Sequence, residues 1–171
     1  MTEKTIPEQI DPFRYAEQSL QLSGYIGVKD MHRIANNLNN IDGKVKVDFQ
    51  FGVDEQKIPY IGGHLETTLT LQCQRCMGPF VYEIMSDFRL GIVNSLEEAN
   101  ALPAHYEPVV ATEGHLALRD VVEDELILSL PIIPKHEPEA CQVKFPVTDA
   151  GWKDEKAKNP FHVLEGLKKQ K

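Results

Sequence analysis

Cysteine is scarce in this sequence, which has only Cys73, Cys76 and Cys141 among its 171 residues. An odd number of thiols cannot all pair within one chain. The polar N-terminus MTEKTIPEQ also lacks the basic and then apolar build of an export signal. Because disulfide frameworks belong to exported proteins, we expect none here. Free thiols, a redox pair and a metal site remain open as roles for the three residues.

Long apolar runs are missing too. No stretch approaches the roughly 20 apolar residues that span a membrane, so we expect a cytoplasmic protein that does not contact a membrane. The sequence also lacks a P-loop, a dinucleotide-binding fingerprint and a nucleophile elbow. We therefore predict no enzymatic activity, no catalytic residues and no small-molecule substrate.

Positive charge is in short supply. The chain contains 18 lysines and arginines and 26 acidic residues, which gives it a net charge of −8 and a pI of about 5.2. A molecule of this charge is repelled by phosphate backbones unless its cations are clustered. The charge argues against DNA as a partner, and it limits direct RNA contacts to Lys44, Lys46, Arg75 and the terminal lysines.

What the sequence does contain is three runs with the alternation of half-buried strands. Residues 44 to 53 alternate strictly, a second run follows Gly62 and Gly63, and a third extends from Phe80 to Ile92. The short segment that holds Cys73 and Cys76 predicts a tight reversal between the second and third runs. We expect an α+β fold, with an antiparallel sheet or a partly closed barrel and several short helices packed on it.

Helix signals surround these runs. Asp11 and Pro12 predict the start of a first helix, Asp30 predicts the N-cap of a second over residues 31 to 38, and residues 96 to 102 and 116 to 130 predict two more. Residues 135 to 171 are polar and mixed in charge. We therefore predict one domain over residues 1 to 134 and a C-terminal extension over residues 135 to 171, which ends in a short helix.

The strongest chemical signal is the motif Cys73-Gln74-Arg75-Cys76, followed later by His136 and Cys141. Two intervening residues let both thiolates of a CxxC motif face one ion from a turn, and thiolates with imidazole favour zinc. We predict that Cys73, Cys76, His136 and Cys141 form a zinc site. A thioredoxin-like redox pair is the alternative, but that motif sits where a strand meets a helix, whereas strand patterns flank this one on both sides.

The segment VVEDE is strongly acidic. Asp120 and Asp124 are spaced to share one helix face and could serve acid-base chemistry or hold magnesium. Such clusters are commonly solvated helix faces, and we adopt that interpretation. The same acidic surface could meet a basic ribosomal protein.

Four segments in this order resemble the YceD family: LQCQRCMGPF, ALPAHYEPV, VVEDELILSLPIIPKHEPEAC and NPFHVLEGLKKQK. The resemblance extends from IDPFRYAEQ to the end of the chain. It implies a role in the synthesis, processing or stability of large-subunit (23S) rRNA, with that rRNA or a large-subunit ribosomal protein as the partner. It also implies a second cysteine pair, of which Cys141 matches one member, while His136 stands where another cysteine occurs in relatives.

From the residues and the resemblance together, we expect a non-enzymatic factor for 23S rRNA that acts by binding a ribosomal component. The alternative is an enzyme acting on RNA, either a CxxC-dependent redox protein or a metal-dependent one. The two hypotheses predict different effects of replacing a cysteine. A zinc site that supports the fold predicts loss of structure, whereas a catalytic cysteine predicts loss of activity in a folded protein.

Overall fold

The computed structural model describes residues 6 to 36 and 38 to 141. Eight strands lie in these ranges: β1 Gln9–Ile10, β2 Gln21–Gly27, β3 Leu38–Asn40, β4 Lys44–Val53, β5 Pro59–Gln72, β6 Pro79–Val93, β7 Glu107–Val110 and β8 Leu116–Ala117. Strands β2 to β7 form one six-stranded sheet, and β1 pairs with β8. Together with four short helices, they confirm the predicted α+β class.

The large sheet is open. Its order is β2-β4-β5-β6-β7, and β3 pairs with β5. The partly closed barrel is therefore not the form observed, since β2 and β7 lie at opposite ends of the strand order. Every pairing in the sheet is antiparallel except the one between β6 and β7. This parallel pair was not predicted; it arises because the chain crosses back after β6 instead of turning in a hairpin.

The helices are α1 Pro12–Glu17, α2 His32–Ala35, α3 Leu96–Ala99 and α4 Leu118–Ser129. Helix α1 begins as predicted, because the Asp11 carboxylate accepts a hydrogen bond of 3.0 Å from the Arg14 N–H. The predicted cap of α2 is wrong. Asp30 ends a 3₁₀ turn at Val28–Asp30, and Met31 occupies the N-cap position without a side-chain hydrogen bond.

One face of the sheet forms the core with α4. Strand β4 has the predicted bounds and buries Val45, Val47, Phe49 and Phe51, whereas Val53 at its end is exposed. Helix α4 contributes Leu118, Val122 and Leu126, each fully buried. It begins two residues later than predicted because Leu116 and Ala117 form β8.

The other face of the sheet is charged. His64 on β5 lies 2.7 Å from the Asp87 carboxylate and 3.1 Å from the Glu66 carboxylate, and these two acids raise the pKa of the imidazole. Lys46 on β4 binds Glu66 at 3.1 Å. Lys46, one of the cations that the sequence offered for RNA contact, is thus already paired with an acid of its own sheet.

Among the described residues, no helix combines the length and the apolar character that crossing a membrane requires.

Candidate metal centre

The CxxC motif lies in the turn between β5 and β6. The Cys73 N–H donates to the Gly78 carbonyl at 2.9 Å, and the Met77 N–H donates back to the Cys73 carbonyl at 2.9 Å. Met77 adopts a left-handed backbone conformation, with φ at 60°, which lets the chain reverse within these few residues. The predicted tight reversal is therefore confirmed.

A second segment reaches the turn after α4. The Gln74 N–H donates to the Pro134 carbonyl at 2.8 Å, which holds the chain beside the CxxC turn just before His136. The Glu137 carbonyl then accepts from the N–H groups of Ala140 at 3.0 Å and Cys141 at 3.2 Å. This single helical turn brings Cys141 back towards the residues that the turn presents.

The two segments place four donor atoms together. The sulfurs of Cys73, Cys76 and Cys141 and a ring nitrogen of His136 all lie within 4.8 Å of one another. Cys73 and Cys141 are buried, and the other two side chains are half-buried. Three sulfurs and one nitrogen around a tetrahedral zinc ion stand about 3.5 to 3.8 Å apart, because Zn–S bonds are about 2.3 Å and Zn–N bonds about 2.0 Å. The cluster could hold a metal ion of this size after small side-chain movements.

The orientation of His136 fits a metal ligand. Its Nε2 atom lies 3.2 Å from the Pro79 carbonyl oxygen, and its Nδ1 atom lies 3.3 Å from the Cys76 sulfur. A carbonyl oxygen only accepts hydrogen bonds, so Nε2 carries the proton and the lone pair of Nδ1 faces the thiols. Ligating histidines commonly donate their other N–H to a backbone carbonyl in this way. The centroid of the imidazole ring also lies 5.2 Å from the centroid of the Phe80 ring.

The electrostatics of the cluster favour a cation. Burial alone would raise the pKa of the Cys73 thiol. Backbone N–H groups, including those of His136 and Arg75 at 3.5 and 3.4 Å from its sulfur, instead lower that pKa to about 5. At Cys76 the Gly78 N–H lowers the pKa, but burial and the neighbouring Cys73 and Cys141 thiols outweigh it and raise the pKa. A bound divalent ion relieves this repulsion between neighbouring sulfurs.

The surroundings differ from those of a thioredoxin-like redox pair. The CxxC turn lies between two strands, as the sequence predicted, and no helix begins at it to lower a thiol pKa with its N-terminal dipole. All three cysteines are free thiols.

The acidic segment on α4 behaves differently from its prediction. Glu123 and Glu125 are buried, at 4% and 8% exposure, so this part of the segment is not a solvated face. Both Glu123 oxygens accept hydrogen bonds: Oε1 from the N–H groups of Arg33 at 2.5 Å and Ile34 at 3.0 Å, and Oε2 from the Arg33 guanidinium at 3.1 Å. Glu123 therefore caps α2. The local sequence around α2 could not predict this cap, because Glu123 lies 90 positions after Arg33 in the chain.

Asp120 and Asp124 are exposed, as the solvated-face interpretation predicts, and their carboxylates bind different arginines. Asp124 binds the guanidinium of Arg33 at 2.5 Å, while Asp120 binds that of Arg119 at 3.3 Å. Glu125 is different, because burial raises the pKa of its carboxyl, helped by the negative charges of Glu107 and Asp124. These carboxylates therefore have separate structural surroundings.

Comparison with known proteins places the chain in a family. The family model described as "Large ribosomal RNA subunit accumulation protein YceD" matches residues 61–168. A Haemophilus influenzae protein that carries the same name is 34% identical over 174 residues, which cover 99% of this chain and 100% of that protein. No solved structure matches the chain. By both sequence comparisons, the chain belongs to the YceD family.

Proposed function

We propose that this protein is a non-enzymatic factor in the synthesis, processing or stability of 23S rRNA, and that it acts by binding a ribosomal component in the cytoplasm. One observation carries the proposal. The chain aligns over nearly its whole length with a relative whose name states a role in the accumulation of large ribosomal RNA. Because the aligned region covers 99% of this chain and 100% of the relative, the proposed role applies to the chain as a whole.

The distribution of charge favours a basic protein as the component bound. Residues 142 to 171 contain seven of the 18 lysines and arginines but only four of the 26 acidic residues. The preceding 141 residues are therefore much more acidic than the average of the chain. An acidic surface attracts a basic ribosomal protein and repels an RNA backbone. Direct contact with 23S rRNA is the other form of the proposal.

We further propose that Cys73, Cys76, His136 and Cys141 hold a zinc ion that supports the fold. Four protein donors fill the coordination that zinc adopts in structural sites, whereas catalytic zinc keeps a position open for water or substrate. When bound, the ion would link the β5–β6 turn to the segment that follows α4. The donor set thus argues for a structural role and against a metal-dependent enzyme.

The binding proposal can be tested by affinity purification of the tagged protein from its own cells, with RNA sequencing and mass spectrometry of the same eluate. We expect a basic large-subunit protein to remain bound after nuclease treatment and to dissociate as the salt concentration rises. The control is the same tag on the Leu128→Lys variant, which changes an exposed residue of α4.

The two forms of the proposal give different eluates. Recovery of 23S rRNA that disappears with salt, without any ribosomal protein, would establish direct RNA contact instead of the protein route. Recovery of neither component above the level of a tag-only sample would contradict the binding proposal.

A further inference from the structure

Strand β6 has an open edge. Over residues 79 to 89 it pairs with β5 on one side, and no strand of the described ranges pairs with it on the other, because β7 begins opposite Leu90. About half of the backbone N–H and C=O groups of this stretch therefore point away from the sheet. Such an edge is a template on which another extended chain can add a strand.

The side chains along this edge have a definite pattern. Val81 and Met85 are 66% and 73% exposed, and the acidic residues Glu83 and Asp87 alternate with them on the same face. Soluble proteins usually protect an open edge with lysine, proline or a bulge. Here the middle of the edge instead presents two uncovered apolar side chains and two carboxylates. The Asp87 carboxylate contacts His64 at 2.7 Å, but its side chain remains 85% exposed.

The chemistry of this face selects its occupant. An added strand that places apolar side chains against Val81 and Met85 would place basic side chains against Glu83 and Asp87. A second copy of this chain would bring a like-charged acidic edge and an acidic domain, which disfavours pairing between copies. The complementary occupant is an extended segment in which apolar and basic residues alternate on one face.

We propose that the open edge of β6 binds such a basic extended segment of a partner protein by β-strand addition. The inference deepens the proposed function and rests on it for the nature of the partner, a basic ribosomal protein. Main-chain hydrogen bonds along residues 80 to 89 would give affinity, and the apolar and acidic side chains would select the sequence.

The test uses the purified full chain and a fluorescent peptide, Lys-Thr-Val-Thr-Lys-Thr-Val-Thr, with no RNA present. We expect saturable binding by anisotropy and slower hydrogen exchange of amides within residues 79 to 89. A peptide with glutamate in place of lysine should not bind. A peptide N-methylated at both valines should bind at least about tenfold more weakly, because each main-chain donor that it loses contributes roughly 1 kcal/mol.

Variants of the protein locate the site. Glu83→Lys should weaken binding about tenfold by placing like charges opposite each other. The control Leu128→Lys adds the same charge at a side chain that is 72% exposed on α4, and it should leave binding unchanged. Because the peptide assay contains no ribosomal component, it can fail while the role in 23S rRNA stands, and it can succeed while that role fails.

Three results would overturn the proposal. The first is equal binding of the N-methylated peptide, which would reduce the contact to charge attraction alone. The second is protection of residues 79 to 89 in a dimer, which would make a second copy the occupant. The third is slow exchange of these amides in the full chain without peptide, together with fast exchange in a chain truncated after Cys141. That result would make the chain's own C-terminal segment the occupant.

Discussion

Replacing Cys73 with serine is expected to abolish zinc binding and to lower the free energy of unfolding by at least about 3 kcal/mol. A structural zinc ion contributes on the order of 10 kcal/mol to small domains that depend on it, and this sheet retains a core of its own. Cys73 is fully buried, and its sulfur accepts backbone hydrogen bonds. Serine supplies a shorter, weaker ligand at this position.

Metal content by mass spectrometry and thermal unfolding with and without a chelator measure this effect. The wild type should contain one zinc per chain and melt at a lower temperature with chelator, whereas the variant should contain none and show no chelator shift. Gln74→Ala is the matched control, since Gln74 is exposed in the same turn and keeps its backbone bond to Pro134. A wild type that contains no zinc as purified and whose melting temperature is unchanged by chelator would contradict the structural zinc.

Replacing Glu123 with alanine is expected to lower the free energy of unfolding by about 2 to 4 kcal/mol, because each buried N–H left without an acceptor costs about 1 to 3 kcal/mol. Two donors would lose their acceptor, because the buried N–H of Ile34 and the part-buried N–H of Arg33 both bind Oε1 of this side chain. Asp124→Ala is the matched control. It removes the other carboxylate that binds Arg33, but both partners are more than half exposed, so its effect should stay below about 1 kcal/mol.

The contribution of Glu123 should also depend on pH. Burial raises the pKa of its carboxyl, but the N–H groups of Ile34 and Arg33 and the Arg33 guanidinium outweigh this and lower the pKa below its ordinary 4.5. The stabilisation is therefore present above about pH 4.5 and is lost as the pH falls through the folded-state pKa. Denaturant unfolding of wild type and variant should give curves that converge in acid. Equal stabilities at pH 7 would contradict the cap.

The sequence predicted the features that depend on local pattern. The alternation over residues 44 to 53 gave β4 its bounds, because a strand with one buried face must alternate. The motif around Cys73 and Cys76 predicted both the turn and half of the cluster, since two intervening residues already place both sulfurs on one turn. The residues that complete the cluster are brought to it by tertiary contacts, such as the hydrogen bond from the Gln74 N–H to the Pro134 carbonyl, which the sequence does not show.

The features that were missed depend on distant partners. Strand β7 is short and contains Pro108, so its sequence carries little strand signal, and it forms by pairing with the end of β6. Helix α2 is stabilised at its start by Glu123, a residue of α4, and Asp30 resembles a cap only in the local sequence. The sequence shows that a segment is charged, but it does not show which of the carboxylates in that segment is buried.

The predicted extension over residues 135 to 171 stays a prediction. Its first residues, up to Cys141, belong to the described chain and include two of the four clustered donors. The short helix predicted at its end lies outside the described residues.

The most direct test of the central claim is the ratio of 23S to 16S rRNA in cells from which this protein has been depleted, measured during exponential growth. If the protein supports 23S rRNA as proposed, the ratio falls on depletion and recovers when the wild-type chain is restored. An unchanged ratio after complete depletion would contradict the account.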